Sequence, residues 1–157
     1  MADQVFVHNI ASYITTRRAS PAGTGAQTAG ANATVTGVTI DRGGFAGGSL
    51  PRSAEFAVAF DATLQSGKTL SVSFDVQHST NNSTWVDFAT SSGVVAATGP
   101  SGGGAVQGSQ SFAVDLGAAN RYVRLVFQPV LSATGTDTVT AVAVAVLSGY
   151  DRLASPT

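Results

Sequence analysis

Ten consecutive residues, 69–78, constrain this chain more than any others. They read Thr-Leu-Ser-Val-Ser-Phe-Asp-Val-Gln-His. Leu70, Val72, Phe74 and Val76 fall on one side, and Ser71, Ser73, Asp75 and Gln77 on the other. That period of two describes a half-buried strand and fits no helix. Residues 79–83, Ser-Thr-Asn-Asn-Ser, are turn formers whose short side chains bond to nearby backbone. Residues 84–88 lead back and carry Trp85, the single tryptophan. The spacing therefore predicts a hairpin over 69–88, apolar inside and wet outside. The single Trp is expected in the core, as is usual in a sandwich. The rival reading makes Trp85 a sugar-stacking platform with Tyr13 and Tyr122.

The rest of the chain repeats this pattern. Phe56, Val58 and Phe60 alternate within 54–60. Phe112, Val114 and Leu116 alternate within 110–116, as do Val123, Leu125 and Phe127 within 121–128. Pro129 is expected to stop that last strand or to place it at an edge. In 137–147 the valines 142, 144 and 146 pack one face. Ala141, Ala143 and Ala145 make the other face small and flat, which points to close contact with a loop or a second subunit. Residues 34–40 form a further strand weakened by Gly37, and 93–97 a short one. The glycine-rich stretch 98–108 reads as a mobile surface loop. Together these give an all-β chain. It is a single antiparallel β-sandwich, jelly-roll-like, with about eight strands.

At 157 residues the chain is expected to form one domain. It has no Cys, so disulfides and thiolate metal sites are both excluded. Residues 20–33 contain no large apolar side chain and read as an extended arm. The division expected is an N-terminal arm over 1–33, a sandwich over 34–149 and a tail over 150–157. No signal peptide is expected at the N-terminus. No run of about 18 apolar residues exists to span a membrane.

Charged residues make up only 11% of the chain and the net charge is −1. A broad basic surface for nucleic acid is therefore not expected. A surface covered by Ser, Thr, Asn, Gln, Gly and Ala resists association weakly and suits a protein packed against neighbours.

Residues 41–48, Asp-Arg-Gly-Gly-Phe-Ala-Gly-Gly, lack the Gly-Lys-Ser/Thr ending of a phosphate loop and precede no helical pattern. Phe45, between glycine pairs, is read as tucked back onto the body, with presentation to a partner as the alternative. His8 and His78 have no metal-spaced partner, so no metal is expected. Asp75 and Asp87 flank one turn, but a glycosidase pair needs a cleft that the sequence does not supply. No nucleophile elbow occurs. Arg121 and Arg124 lie three apart on a strand and point to opposite faces. The chain is read as a non-enzyme with no cofactor.

Two segments carry a family resemblance. Residues 72–88, Val-Ser-Phe-Asp-Val-Gln-His-Ser-Thr-Asn-Asn-Ser-Thr-Trp-Val-Asp-Phe, resemble a hairpin common in virion proteins of tailed bacteriophages and prophages. There a Val-x-His-Ser strand precedes a polar turn and a Ser/Thr-Trp/Phe strand. Residues 121–153 resemble the other half. Arg-Tyr-Val-Arg opens a strand, an Ala/Thr-rich connection follows, and Ala-Val-Ala-Val-Leu-x-Gly leads to Asp-Arg-Leu. The resemblance spans roughly 54–153 and implies a capsid decoration (cement) protein. Such a protein is made in the host bacterial cytoplasm, binds the major capsid protein on the virion surface and is often a homotrimer. No catalytic residue is carried over. The implied partner contacts are Val5, Phe6, Val7, Ile10, Tyr13, Arg17, Arg18, Phe45, Arg152 and Leu153. A carbohydrate-binding module and a tail or neck component are the alternatives.

Overall fold

The computed structural model describes residues 14–21, 26–28, 32–45, 50–133 and 135–150, with backbone alone over 26–28. Among these residues there are ten strands: β1 (Thr15–Arg18), β2 (Ala26–Thr28), β3 (Val35–Thr36), β4 (Ile40–Asp41), β5 (Ser53–Leu64), β6 (Thr69–Ser79), β7 (Val86–Thr98), β8 (Gly104–Asp115), β9 (Tyr122–Leu131) and β10 (Thr138–Ser148). A 3-10 turn covers Arg42–Gly44.

The strands form two antiparallel sheets. Sheet A runs β1-β10-β5-β8, with β2 also on the outer edge of β10. Sheet B runs β3-β9-β6-β7, with β4 also on β9. Counting β1 with β2 and β3 with β4 leaves eight positions in the order 1-8-3-6 over 2-7-4-5. This is the double-sheet wrapping of a jelly roll. Within the segment read as an arm, β1 and β2 lie along β10, and Ala19 is buried.

The alternation within each strand decides the core. On β6, Leu70, Val72, Phe74 and Val76 are buried, and on β9 so are Val123, Leu125 and Phe127. Phe74 of sheet B meets Phe112 of sheet A at 5.7 Å between ring centres. At the hairpin tip Asn81 organises the turn, its Oδ1 accepting from the Ser83 and Thr84 amides at 3.0 and 2.9 Å.

Four expectations need correction. First, the alanines of β10 are the inner face: Ala141, Ala143 and Ala145 are buried, while Val142 and Val144 are 47% and 45% exposed. The reason lies on β5. Phe60 stands opposite Ala141 and Phe56 opposite Ala145, so small residues on one strand make room for rings on the next. Second, the stretch 98–108 is mostly strand. The turn is confined to 99–103, where the Gly103 amide bonds the Pro100 carbonyl at 2.8 Å. Gly108 lies in β8 beneath Phe60, whose ring a Cβ there would meet at 2.8 Å. Third, 93–97 is part of the 13-residue β7. Fourth, β9 continues through Pro129, which is opposite Val72 of β6. Its other flank is met by Asn32, whose Oδ1 accepts from the Leu131 amide at 3.2 Å.

Gly37 explains how 34–40 crosses the side of the sandwich. Its amide bonds the Leu125 carbonyl at 2.7 Å, and the Val38 amide bonds the Ala19 carbonyl at 3.2 Å. A backbone from each sheet therefore meets at this glycine.

Candidate interaction surfaces

The outer face of sheet B is polar because the outward residues of β6 are Ser71, Ser73, Asp75 and Gln77. The Gln77 amide donates to Asp87 at 2.8 Å and to Asp75 at 3.2 Å. Its carbonyl accepts from Arg124 Nε at 2.8 Å. One glutamine thus joins the two acids and a base. Burial and the Asp87 charge raise the pKa of Asp75 above the ordinary carboxylate value. Asp75 Oδ1 is buried without a hydrogen-bond partner. A shallow depression beside it is lined by Thr34, Ser73, Thr90, Ser91 and Gln128.

Trp85 belongs to this outer face, which corrects its expected place in the core. It precedes β7, is half-buried, and carries the Arg124 guanidinium 4.2 Å from its ring centre. The core is filled by phenylalanines, and an outward Arg124 supplies Trp85 with a cation. The two described members of the expected sugar platform, Trp85 and Tyr122, are each faced by an arginine. Arg121 lies over Tyr122 at 5.1 Å, and Tyr13 lies outside the described residues. Arg121 also forms a two-pronged pair with Asp41, at 2.9 and 2.8 Å, which lowers the Asp41 pKa. His78 is half-buried. Its ring centre is 4.9 Å from that of Phe88, and Nδ1 accepts from the Asn120 amide at 3.3 Å.

The outer face of sheet A is different. Register places Val144, Ala57 and Ser111 in one row and Val142, Ala59 and Ser109 in the next. Arg18 of β1 extends the first row, opposite Val144. Glu55 and Asp61 lie one outward position beyond the alanines on β5. This is a flat patch of small side chains with charge only at its margins.

Of the expected partner contacts, Val5, Phe6, Val7, Ile10, Tyr13, Arg152 and Leu153 lie outside the described residues. Arg17 and Phe45 come together: the Arg17 guanidinium is 4.7 Å from the Phe45 ring centre. Phe45 meets Tyr150 edge-on at 6.0 Å. Phe45 is thus buried in its own chain, in agreement with the tucked-back reading and not with display to a partner. Arg18 is exposed.

Arg42 was not singled out by sequence. It is 2% exposed. Nη2 donates to the Pro51 carbonyl at 2.7 Å, Nε to the same oxygen at 3.2 Å, and Nη1 to the Ala119 and Asn120 carbonyls, the latter at 3.1 Å. Burial lowers its pKa, and its five donors fit a cage of carbonyls. Asp41-Arg42-Gly43-Gly44 is therefore a latch across one end of the sandwich. Among the described residues no three acidic or histidine side chains converge on one point.

No protein-family model matches the chain, and no curated protein matches it. Solved structures do. A structure of infectious bursal disease virus, Gx strain, aligns with 90% of this chain and 33% of its own at 12% identity, with a TM-score of 0.49. The VP2 subviral particle of the same virus aligns with 87% of this chain and 32% of its own at 10% identity and a TM-score of 0.46. Dimeric latent PorU from Porphyromonas gingivalis aligns with 87% of this chain and 13% of its own at 13% identity and a TM-score of 0.43. This chain spans a third or less of the length of each.

Proposed function

We propose that this chain is a non-enzymatic virion structural protein, a decoration protein on the head shell of a tailed bacteriophage. The observation that carries the reading is where the two resembling segments fall. Residues 72–88 lie on β6, its turn and the start of β7, and residues 121–148 hold β9 and β10. They supply three of the four central strands. A surface poor in charge suits wide contacts with a shell of the major capsid protein. Many copies on a lattice would add avidity to weak single contacts. Fold alone does not decide function; the segments and the surface composition support the reading together.

Mass spectrometry of purified particles from cells carrying the gene tests it. The chain is expected in the head fraction, in amounts comparable to the shell protein. Absence from particles sinks the reading, and presence only in a separated tail fraction gives the tail or neck alternative. The arm's role needs a shorter deletion than residues 1–33. That cut would strip β1 and β2 from β10 and Ala19 from the core, whereas a deletion of 1–13 leaves them in place.

The half-exposed Trp85 favours a second reading, a carbohydrate-binding module. It requires a change in Trp85 fluorescence on glycan titration. The decoration reading expects none.

A further inference from the structure

We propose that the outer face of sheet A is a contact between two copies of this chain. The inference is independent of the virion reading. It starts from the inversion on β10. The inner positions are alanine because β5 supplies Phe56 and Phe60 beside them. Nothing in that packing calls for valine on the outside, yet Val142 and Val144 stand 47% and 45% exposed. Side by side with Ala57 and Ala59, they make a contiguous apolar patch with polar margins, the pattern of an association site. The opposite outer face carries Asp75, Gln77, Asp87 and Arg124 at its centre, and its exposed valines, Val86, Val94 and Val95, lie on the edge strand β7.

A second copy fits this face in shape and charge. Consider a two-fold axis running along the strands between β10 and β5. It sets each Val144 over the Ala57 row of the other copy and each Val142 over the Ala59 row, large on small. The same rotation lays β1 over β8. Arg18 then lies one strand and one outward position from the other copy's Glu55. With spacings of about 4.8 Å between strands, about 7 Å between alternate residues and about 10 Å between the sheets, the two Cα atoms stand roughly 13 Å apart. The arginine and glutamate side chains span that distance together once the Arg18 guanidinium leaves the Pro21 carbonyl to which it donates in the single chain. Glu55 is the only glutamate in the chain, so two reciprocal Arg18–Glu55 pairs border the contact. Sheets packed face to face in this aligned way are a common arrangement. Four strands over the length of β10 give a flat footprint of roughly 600 Å². The accessible area of a corrugated face exceeds its footprint and approaches the ~800 Å² per partner of a specific interface. The contact replaces the three-fold one that the resemblance implies.

Sedimentation equilibrium of the full chain tests this. The wild type is expected to be a reversible dimer. Val142→Lys with Val144→Lys should give a monomer that melts at the temperature of the wild type diluted below its dissociation range, since within one copy both side chains face solvent. Arg18→Glu and Glu55→Arg should each weaken the dimer about tenfold, and the double variant should recover most of that loss. A wild type that stays monomeric up to its solubility limit overturns the proposal. So does any association that survives the lysine pair, or a closed trimer. Charge reversals that fail to compensate overturn the two-fold arrangement.

Discussion

The guanidinium of Arg124 lies 4.2 Å from the centre of the Trp85 ring, held there by the Gln77 carbonyl that accepts from its Nε. This cation covers one face of the single tryptophan and sets how much water reaches it. Arg124→Ala is expected to shift Trp85 emission to longer wavelength and to cost about 1 kcal/mol of stability. Unchanged emission would mean that Arg124 does not sit over the ring in solution.

Arg42 is buried against the carbonyls of Pro51, Ala119 and Asn120. Arg42→Ala leaves those acceptors without donors and opens a void, so a loss of about 3 kcal/mol is expected in urea unfolding. Arg42→Lys should recover little of it, because one ammonium cannot reproduce the planar fork. Full rescue by lysine would refute the carbonyl cage.

Gly37 and Gly67 make a contrasting pair. A Cβ at Gly37 would lie 2.1 Å from the Ala19 carbonyl oxygen and 2.4 Å from that of Leu125. Gly37→Ala must push the sheets apart there and should cost about 3 kcal/mol or more. A Cβ at Gly67 meets nothing within 4 Å, but its φ is +68°. Gly67→Ala should cost only about 1 kcal/mol, from the left-handed backbone. Equal melting temperatures for the two variants would contradict this seam.

Asp75 gives a pH signature. Burial first, then the Asp87 charge, raises its folded pKa above the unfolded value of 3.8. The folded chain therefore holds this proton more tightly than the unfolded one. The penalty for a charged Asp75 is present at neutral pH. It fades as pH falls through the raised folded value, and is gone below about 3.8. Asp75→Asn should raise the melting temperature at pH 7 by about 1–2 °C, and by nothing near pH 3. Asp41 has the opposite sign. Its pKa is lowered by the Arg121 bond, so its contribution is present above 3.8 and lost as pH falls through the folded value. A thermal melt series of Asp75→Asn and Asp41→Asn separates the two. Equal behaviour would show that the Asp75–Gln77–Asp87 chain is not formed.

Much of the architecture was legible locally. Strands β6, β8 and β9 are marked by their own alternation, and the 79–83 turn by side chains that bond within a few residues. These signals need only near neighbours. The polar outer face of sheet B was half legible. Asp75 and Asp87 flank a visible turn, but Gln77 as their bridge and Arg124 as its partner depend on strand register. Residues 98–108 carry the glycines of a mobile loop yet form mostly strand, because glycine content does not distinguish a loose backbone from a closely packed one. At Gly108 the glycine is there to admit the Phe60 ring.

The sequence by itself determined that this is an antiparallel all-β chain and which residues share a face within each strand. A period of two is a property of the extended backbone and survives any packing. The tertiary structure alone decided which face of β10 turns inward. Both are apolar, so the outcome rests on volumes contributed by Phe56 and Phe60 of the next strand. It also decided that Arg42 is buried, since its acceptors come from residues 51, 119 and 120. Trp85 was settled the same way, held outside by an arginine 39 positions further along the chain. Each of these outcomes is a relation between residues remote in sequence, set only when the two sheets meet.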